Sequence, residues 1–309
     1  MKREIKNKPA SIRAKLINIA RTEVIDFDAI LLRYFQERFL YRLTISEFSD
    51  HFILKGGLLL IYFQIPGTRP TKDIDFLAEH LDNDQTELEN IIRKIAELYF
   101  DDGVKFDPLS ISSERIKEDA DYEGIRLKID AILGQARKRL QMDIGFGDIV
   151  IPKAKKVEFP TLLEQIPPKI KVYSIESVIS EKFEAMIKLA MANSRMKDFY
   201  DVYTLSINYN FQGNRFKKAI ESTFKKRKTI VPVSPLIFKT EFHNDKGRQR
   251  QWTAFLHKSR IADTDENFNQ IMERITKFLK PIVISIKNKT QIEKSWYPSL
   301  GHWKKQIIL

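Results

Sequence analysis

The chain has 309 residues and a net charge of +12, from 53 Lys and Arg against 41 Asp and Glu. It is 43% apolar and 11% aromatic and contains no cysteine. That composition excludes disorder over most of the length, and with it disulfides and thiolate zinc sites. No run approaches the roughly 20 apolar residues of a membrane helix, and no apolar segment follows the basic start Met1-Lys-Arg-Glu-Ile5. We therefore expect no signal peptide, no membrane association and a cytoplasmic location. Five scattered histidines argue against a histidine metal site. The basic excess is often only a solubility feature, but it favours a nucleotide or nucleic-acid partner.

In chain order, apolar residues at helical spacing predict helices over Ser11–Arg21 and Ile25–Phe39, the second led by Asp26 and Asp28. An apolar run from Phe52 to Tyr62 contains Gly56-Gly57, and Pro66-Gly-Thr-Arg-Pro70 predicts a loop. The alternation in Asp73-Ile-Asp-Phe76 predicts a strand with acids on one face. A helix is expected over Leu88–Phe100. A hairpin should follow, with strands Gly124–Leu133 and Arg137–Phe146. Proline and lysine between Pro152 and Pro168 predict a loop or short-strand connection and the domain boundary. Helices are then expected over Ser174–Met191, Lys197–Ile207, Phe216–Lys225 and Phe268–Leu279. The predicted class is α+β, with a small mixed sheet and flanking helices in residues 1–170 and a mainly helical domain in 171–309.

Asp73 and Asp75 carry the clearest chemistry. Two carboxylates on one strand face lie about 6–7 Å apart along the backbone and repel unless a cation lies between them. Such oxygen donors suit Mg²⁺, although a lone Asp-x-Asp is usually two solvated acids. Gly56-Gly57 upstream would let phosphate approach the backbone, yet a Gly pair more often marks a turn. Asp143, on the polar face of a later strand, supplies a third acid. The combination is more specific than any part.

Phe52-Ile-Leu-Lys-Gly-Gly-Leu-Leu-Leu60 and Arg69-Pro-Thr-Lys-Asp-Ile-Asp-Phe-Leu77 resemble the nucleotidyltransferase toxins of the AbiEii/AbiGii family, in the DNA polymerase β-like superfamily. The resemblance continues through Ile179-Ser-Glu-Lys-Phe-Glu-Ala185 and Arg195-Met-Lys-Asp-Phe-Tyr-Asp-Val-Tyr203. It extends to Ala219–Arg227, Gln251–Phe255 and Phe278–Pro281, covering the chain from about Phe52 to Trp303. Many members carry Ser or Thr after the first glycine or after the pair; here Gly57 and Leu58 stand there. No role of that hydroxyl carries over.

The resemblance implies a nucleotidyltransferase core that uses Mg²⁺ (or Mn²⁺) to move a nucleoside monophosphate from an NTP to an acceptor. Asp73, Asp75 and Asp143 would hold metal, and Asp143 would favour deprotonation of the acceptor hydroxyl. Lys55, Gly56, Gly57 and Lys182 would bind the nucleotide. Asp198 would be the last catalytic acid, so that the C-terminal domain contributes Lys182 and Asp198 to the site. Lys182 falls on the apolar stripe of its helix, where the plain reading is a lysine snorkelling from the core edge. Asp201 would orient a neighbour or cap. The implied biology is a toxin–antitoxin or phage-defence pair with a cognate antitoxin and an RNA acceptor, tRNA foremost. The alternatives are a protein-modifying nucleotidyltransferase and a non-catalytic module that binds RNA or antitoxin.

The remaining features are less specific. Lys217-Lys218, Lys225-Lys-Arg-Lys228, Lys287 and Lys289 could line an RNA groove or be solvated helix faces. Trp296, Tyr297 and Trp303 could stack on bases or pack back onto the body. His51 and His80 flank the acidic strand, and lone histidines are usually structural.

Overall fold

The computed structural model describes residues 7–64, 71–119, 122–259, 261 and 266–305. The loop expected at Pro66–Pro70 lies outside the described residues. The chain forms two compact units.

The first unit contains α1 (Lys8–Thr22), α2 (Phe27–Ile45), β1 (Phe52–Lys55), α3 (Gly56–Tyr62), β2 (Asp73–Ala78) and α4 (Gln85–Glu97). It continues with β3 (Val104–Asp119), β4 (Tyr122–Leu133), β5 (Ala136–Phe146), β6 (Lys155–Glu158) and β7 (Lys169–Val172). Its strands form one mixed sheet in the order β3-β4-β5-β2-β1-β7-β6. β2 runs parallel to β5 and antiparallel to β1, while β3, β4 and β5 form an antiparallel meander. Alternation explains the apolar face: Ile74 and Phe76 align with Met142 and Ile144, which align with Leu127 and Ile125, all at most 1% exposed. The predicted hairpin is present, turning through Gly134 at φ +60°.

The apolar run Phe52–Tyr62 resolves into two elements, a buried strand and a short helix, divided at Gly56. The 16-residue strand β3 was not expected. Its register shifts between Asp107 and Ser112, around Pro108 and Leu109, which breaks the period of two that would have revealed it.

Glu37 of α2 ties the segment after β6 to the helix layer. Its carboxylate accepts from the backbone N–H of Leu162 at 2.9 Å and from Arg33 Nε at 3.1 Å. Burial pushes its carboxyl up to about 7, against the opposing pull of Arg33. A raised carboxyl favours the folded state when protonated, so its contribution is present below the ordinary Glu range and lost as pH rises through about 7. Glu37→Gln is therefore expected to flatten the fall of denaturant stability between pH 5 and 8, compared with wild type. An unchanged slope would remove Glu37 as its source.

The second unit contains α5 (Ile175–Leu189), α6 (Met196–Asn208), β8 (Phe211–Gln212), α7 (Gly213–Lys226), α8 (Thr240–His243) and α9 (Lys246–Ser259). It ends with α10 (Phe268–Lys287), β9 (Lys294–Tyr297) and β10 (His302–Lys305). Ser174 caps α5, its side chain accepting from the backbone N–H of Ser177. The last long helix runs past the expected end at Leu279, with Pro281 inside it. Its core is aromatic: Phe278 lies 5.0 Å from Phe216, 4.9 Å from Trp296 and 5.9 Å from Trp303. Among the described residues no helix is long and apolar enough to cross a membrane.

Candidate active site

The acids of the first unit are gathered by strand register. Asp75 is the direct partner of Lys55 on β1 and of Asp143 on β5; Asp143 is the partner of Arg126 on β4, and Arg126 of Glu114 on β3. Registered partners project to the same face. One row across five strands therefore reads Lys55, Asp75, Asp143, Arg126, Glu114. The adjacent row, two residues along, reads Asp73, Gln141, Lys128, Ser112. Asp73, Asp75 and Asp143 thus share the polar face, backed by the apolar layer of the same strands.

Gly56 lies against this row. It has φ +69°, and a Cβ built there would stand 1.8 Å from Asp75 Oδ2 and 2.7 Å from its Cβ. Glycine is required twice, by the left-handed backbone and by the Asp75 side chain pressed over it. Gly56→Ala should cost about 1–3 kcal/mol in backbone strain alone, and should also displace Asp75. Urea denaturation and turnover are both expected to fall; wild-type values for both would show that the contact is dispensable.

Arg126 is the residue that the sequence reading missed. Its Nε and Nη2 donate to Asp143 Oδ1 and Oδ2, each at 2.8 Å, a bidentate fork. Gln141 Nε2 also donates to Asp143 Oδ1 at 3.2 Å. These bonds to Asp143 raise the Arg126 pKa further, burial opposes them, and Asp73 and Glu114 add to the rise. A pattern of alternating polar residues, Arg126-Leu-Lys-Ile-Asp130, was legible, but nothing local linked Arg126 to Asp143, 17 residues later.

Three carboxylates on one face are hard oxygen donors suited to a divalent cation. Asp73 and Asp75 fit that role by type and by side of the sheet. Asp143 is turned to a guanidinium, which already supplies a positive charge at that position. Among the described residues no group of three His, Cys, Asp or Glu side chains is close enough to hold a metal ion.

Lys182 and Asp198 belong to the second unit and are joined to each other. Lys182 Nζ lies 2.9 Å from Asp198 Oδ1 and 2.8 Å from Asp201 Oδ2. Both carboxylate side chains are fully buried, and Lys182 is 12% exposed. Arg195 Nε approaches Asp198 Oδ2 at 2.8 Å. Lys182 is thus the partner of two buried acids on α6 rather than a snorkelling lysine at the core edge.

Several of the remaining candidates have partners within their own unit. Trp296 and Trp303 are buried, donating Nε1–H to the carbonyls of Ser206 and Phe278, so they pack onto the body and present no ring for base stacking. Arg227 is nearly buried and pairs with Asp148, Glu181 and Glu184. Lys217 Nζ donates to the Thr290 carbonyl. His51 Nδ1 lies 3.0 Å from the Glu79 carbonyl oxygen, a structural contact.

A sequence profile described as "Nucleotidyl transferase AbiEii toxin, Type IV TA system" matches residues 38–274. No curated protein matches the chain in sequence. Among solved structures, a candidate nucleotidyltransferase from Helicobacter pylori is 13% identical with a TM-score of 0.49, covering 86% of this chain and 100% of that one. JHP933 from Helicobacter pylori is 12% identical with a TM-score of 0.46, covering 85% and 95%. Neither lends residue roles to this chain.

Proposed function

The chain belongs to the AbiEii family of nucleotidyl transferase toxins of type IV toxin–antitoxin systems, and from that premise we propose that it transfers a nucleoside monophosphate from an NTP to an RNA acceptor. Pyrophosphate is the leaving group, tRNA the favoured acceptor, and Mg²⁺ (or Mn²⁺) the cofactor. A cognate antitoxin is the implied partner, and phage defence the proposed setting. The observation that supports the reading most directly is the shared face of Asp73, Asp75 and Asp143, fixed by the β2–β5 register.

Asp73 and Asp75 are assigned to hold the divalent cation. When bound, such ions neutralise the triphosphate and lower the pKa of the attacking hydroxyl. Gly56 keeps the Asp75 carboxylate in place and Lys55 adds positive charge beside it. Asp143 favours proton loss from the acceptor hydroxyl. In the second unit, Lys182 is assigned to neutralise phosphate charge and Asp198 to fix its ammonium.

The test is incubation with each of four α-labelled NTPs, total RNA, purified tRNA and cell protein, with Mg²⁺ or Mn²⁺. Label on tRNA is expected. Label on protein would replace the acceptor by a protein side chain, and no transfer from any NTP would favour a non-catalytic binding module.

A further inference from the structure

Asp143 is held by a guanidinium fork on the polar face. Both of its oxygens accept from the Arg126 fork at 2.8 Å, and Gln141 adds a third donor. Its side chain is 10% exposed, and that of Arg126 is 31% exposed. The guanidinium also feels Asp73, so it balances charge on both rows of acids. We propose that Arg126 is a resident counter-cation at Asp143 that competes with a divalent metal ion for that carboxylate.

The reasoning is electrostatic. Three acids on one face destabilise each other without a cation, and a fixed guanidinium answers that need in the metal-free protein. The same fork claims both carboxylate oxygens, which are the donors a metal would need. A released Arg126 has a second acid within its own row, Glu114, its registered partner on β3. Lys128 now bonds Glu114 at 2.8 Å, so the exchange stays within one charged face. Arg126 is thus a positioning residue, setting how readily Asp143 joins Asp73 and Asp75.

The proposal rests on the reading of Asp73 and Asp75 as the metal pair, and the test separates the two. Mn²⁺ binding is measured by electron paramagnetic resonance of the free ion, without nucleotide, for wild type, Asp73→Asn, Arg126→Gln, Arg126→Lys and Arg126→Gln/Asp143→Asn. Loss of wild-type binding in Asp73→Asn supports the metal pair. Arg126→Gln should bind Mn²⁺ at least ten-fold more tightly than wild type. Arg126→Lys, which keeps the charge but loses the fork, should fall between them, and covers the case in which Arg126→Gln does not fold. The double variant should lose the gain, because it runs through Asp143. An Arg126→Gln or Arg126→Lys affinity equal to or weaker than wild type overturns the proposal, as does a gain that survives Asp143→Asn. Binding by Arg126→Gln alone supports competition; binding by none of the proteins overturns both readings.

Discussion

Asp73→Ala and Asp75→Ala are each expected to lower turnover by at least a thousand-fold, roughly 4 kcal/mol of transition-state stabilisation. Their effects on folding should differ. Asp73 stands beside Gln141 in the register, and its removal relieves repulsion among three acids. The melting temperature of metal-free Asp73→Ala should therefore be unchanged or raised. Asp75 stands opposite Lys55, which is only 5% exposed, and presses over Gly56. Asp75→Ala takes an acid from beside a buried ammonium, so its melting temperature should fall. From the sequence alone both variants would be expected to behave alike in stability; the register separates them. Turnover above about a tenth of wild type, a loss under roughly 1.4 kcal/mol, would defeat the assignment of that acid.

Lys182→Met is expected to destabilise the protein by about 3–5 kcal/mol, the usual result of removing one partner from a buried ion pair. The methionine fills most of the stem volume, but Asp198 and Asp201 each lose the Lys182 ammonium from a fully buried carboxylate. The triple variant Lys182→Met/Asp198→Asn/Asp201→Asn should recover much of that loss, because amides need no counter-charge. Urea denaturation of the three proteins decides. A Lys182→Met protein as stable as wild type would show that the pairs contribute nothing. Turnover should be measured per folded molecule: a further fall of ~2 kcal/mol in transition-state stabilisation belongs to the phosphate role, and no fall leaves Lys182 as a structural partner.

Elements whose signal is local are legible in the sequence. Asp73-Ile-Asp-Phe76 reads as a strand because alternation is a property of four consecutive residues, and the structure has a strand over Asp73–Ala78. The helices over Ile175–Leu189 and Met196–Asn208 follow from apolar spacing in the same way. The family motifs are also runs of consecutive residues, which is why the nucleotidyltransferase kinship was legible. β3 was not, because a register shift at Asp107 to Ser112 erases the local period while leaving the pairing with β4 intact.

Partnership was decided by the tertiary structure. The alignment of Asp75 with Asp143 requires β2 to pair in parallel with a strand about 70 residues later, and the Arg126 fork depends on the register of the β4–β5 hairpin. The same holds for Lys182, whose place on an apolar stripe reads as a snorkelling lysine and which only the family resemblance makes a phosphate ligand. Its two buried carboxylates come from the next helix, 16 and 19 residues away. Trp296 and Trp303 were open to stacking on bases until Phe216 and Phe278 were seen to cover them. Hydropathy and spacing record which side of its own backbone a residue occupies. What it meets there is set by hydrogen-bond register and helix packing between distant segments, and here that contact gives Asp143 its guanidinium and Lys182 its two carboxylates.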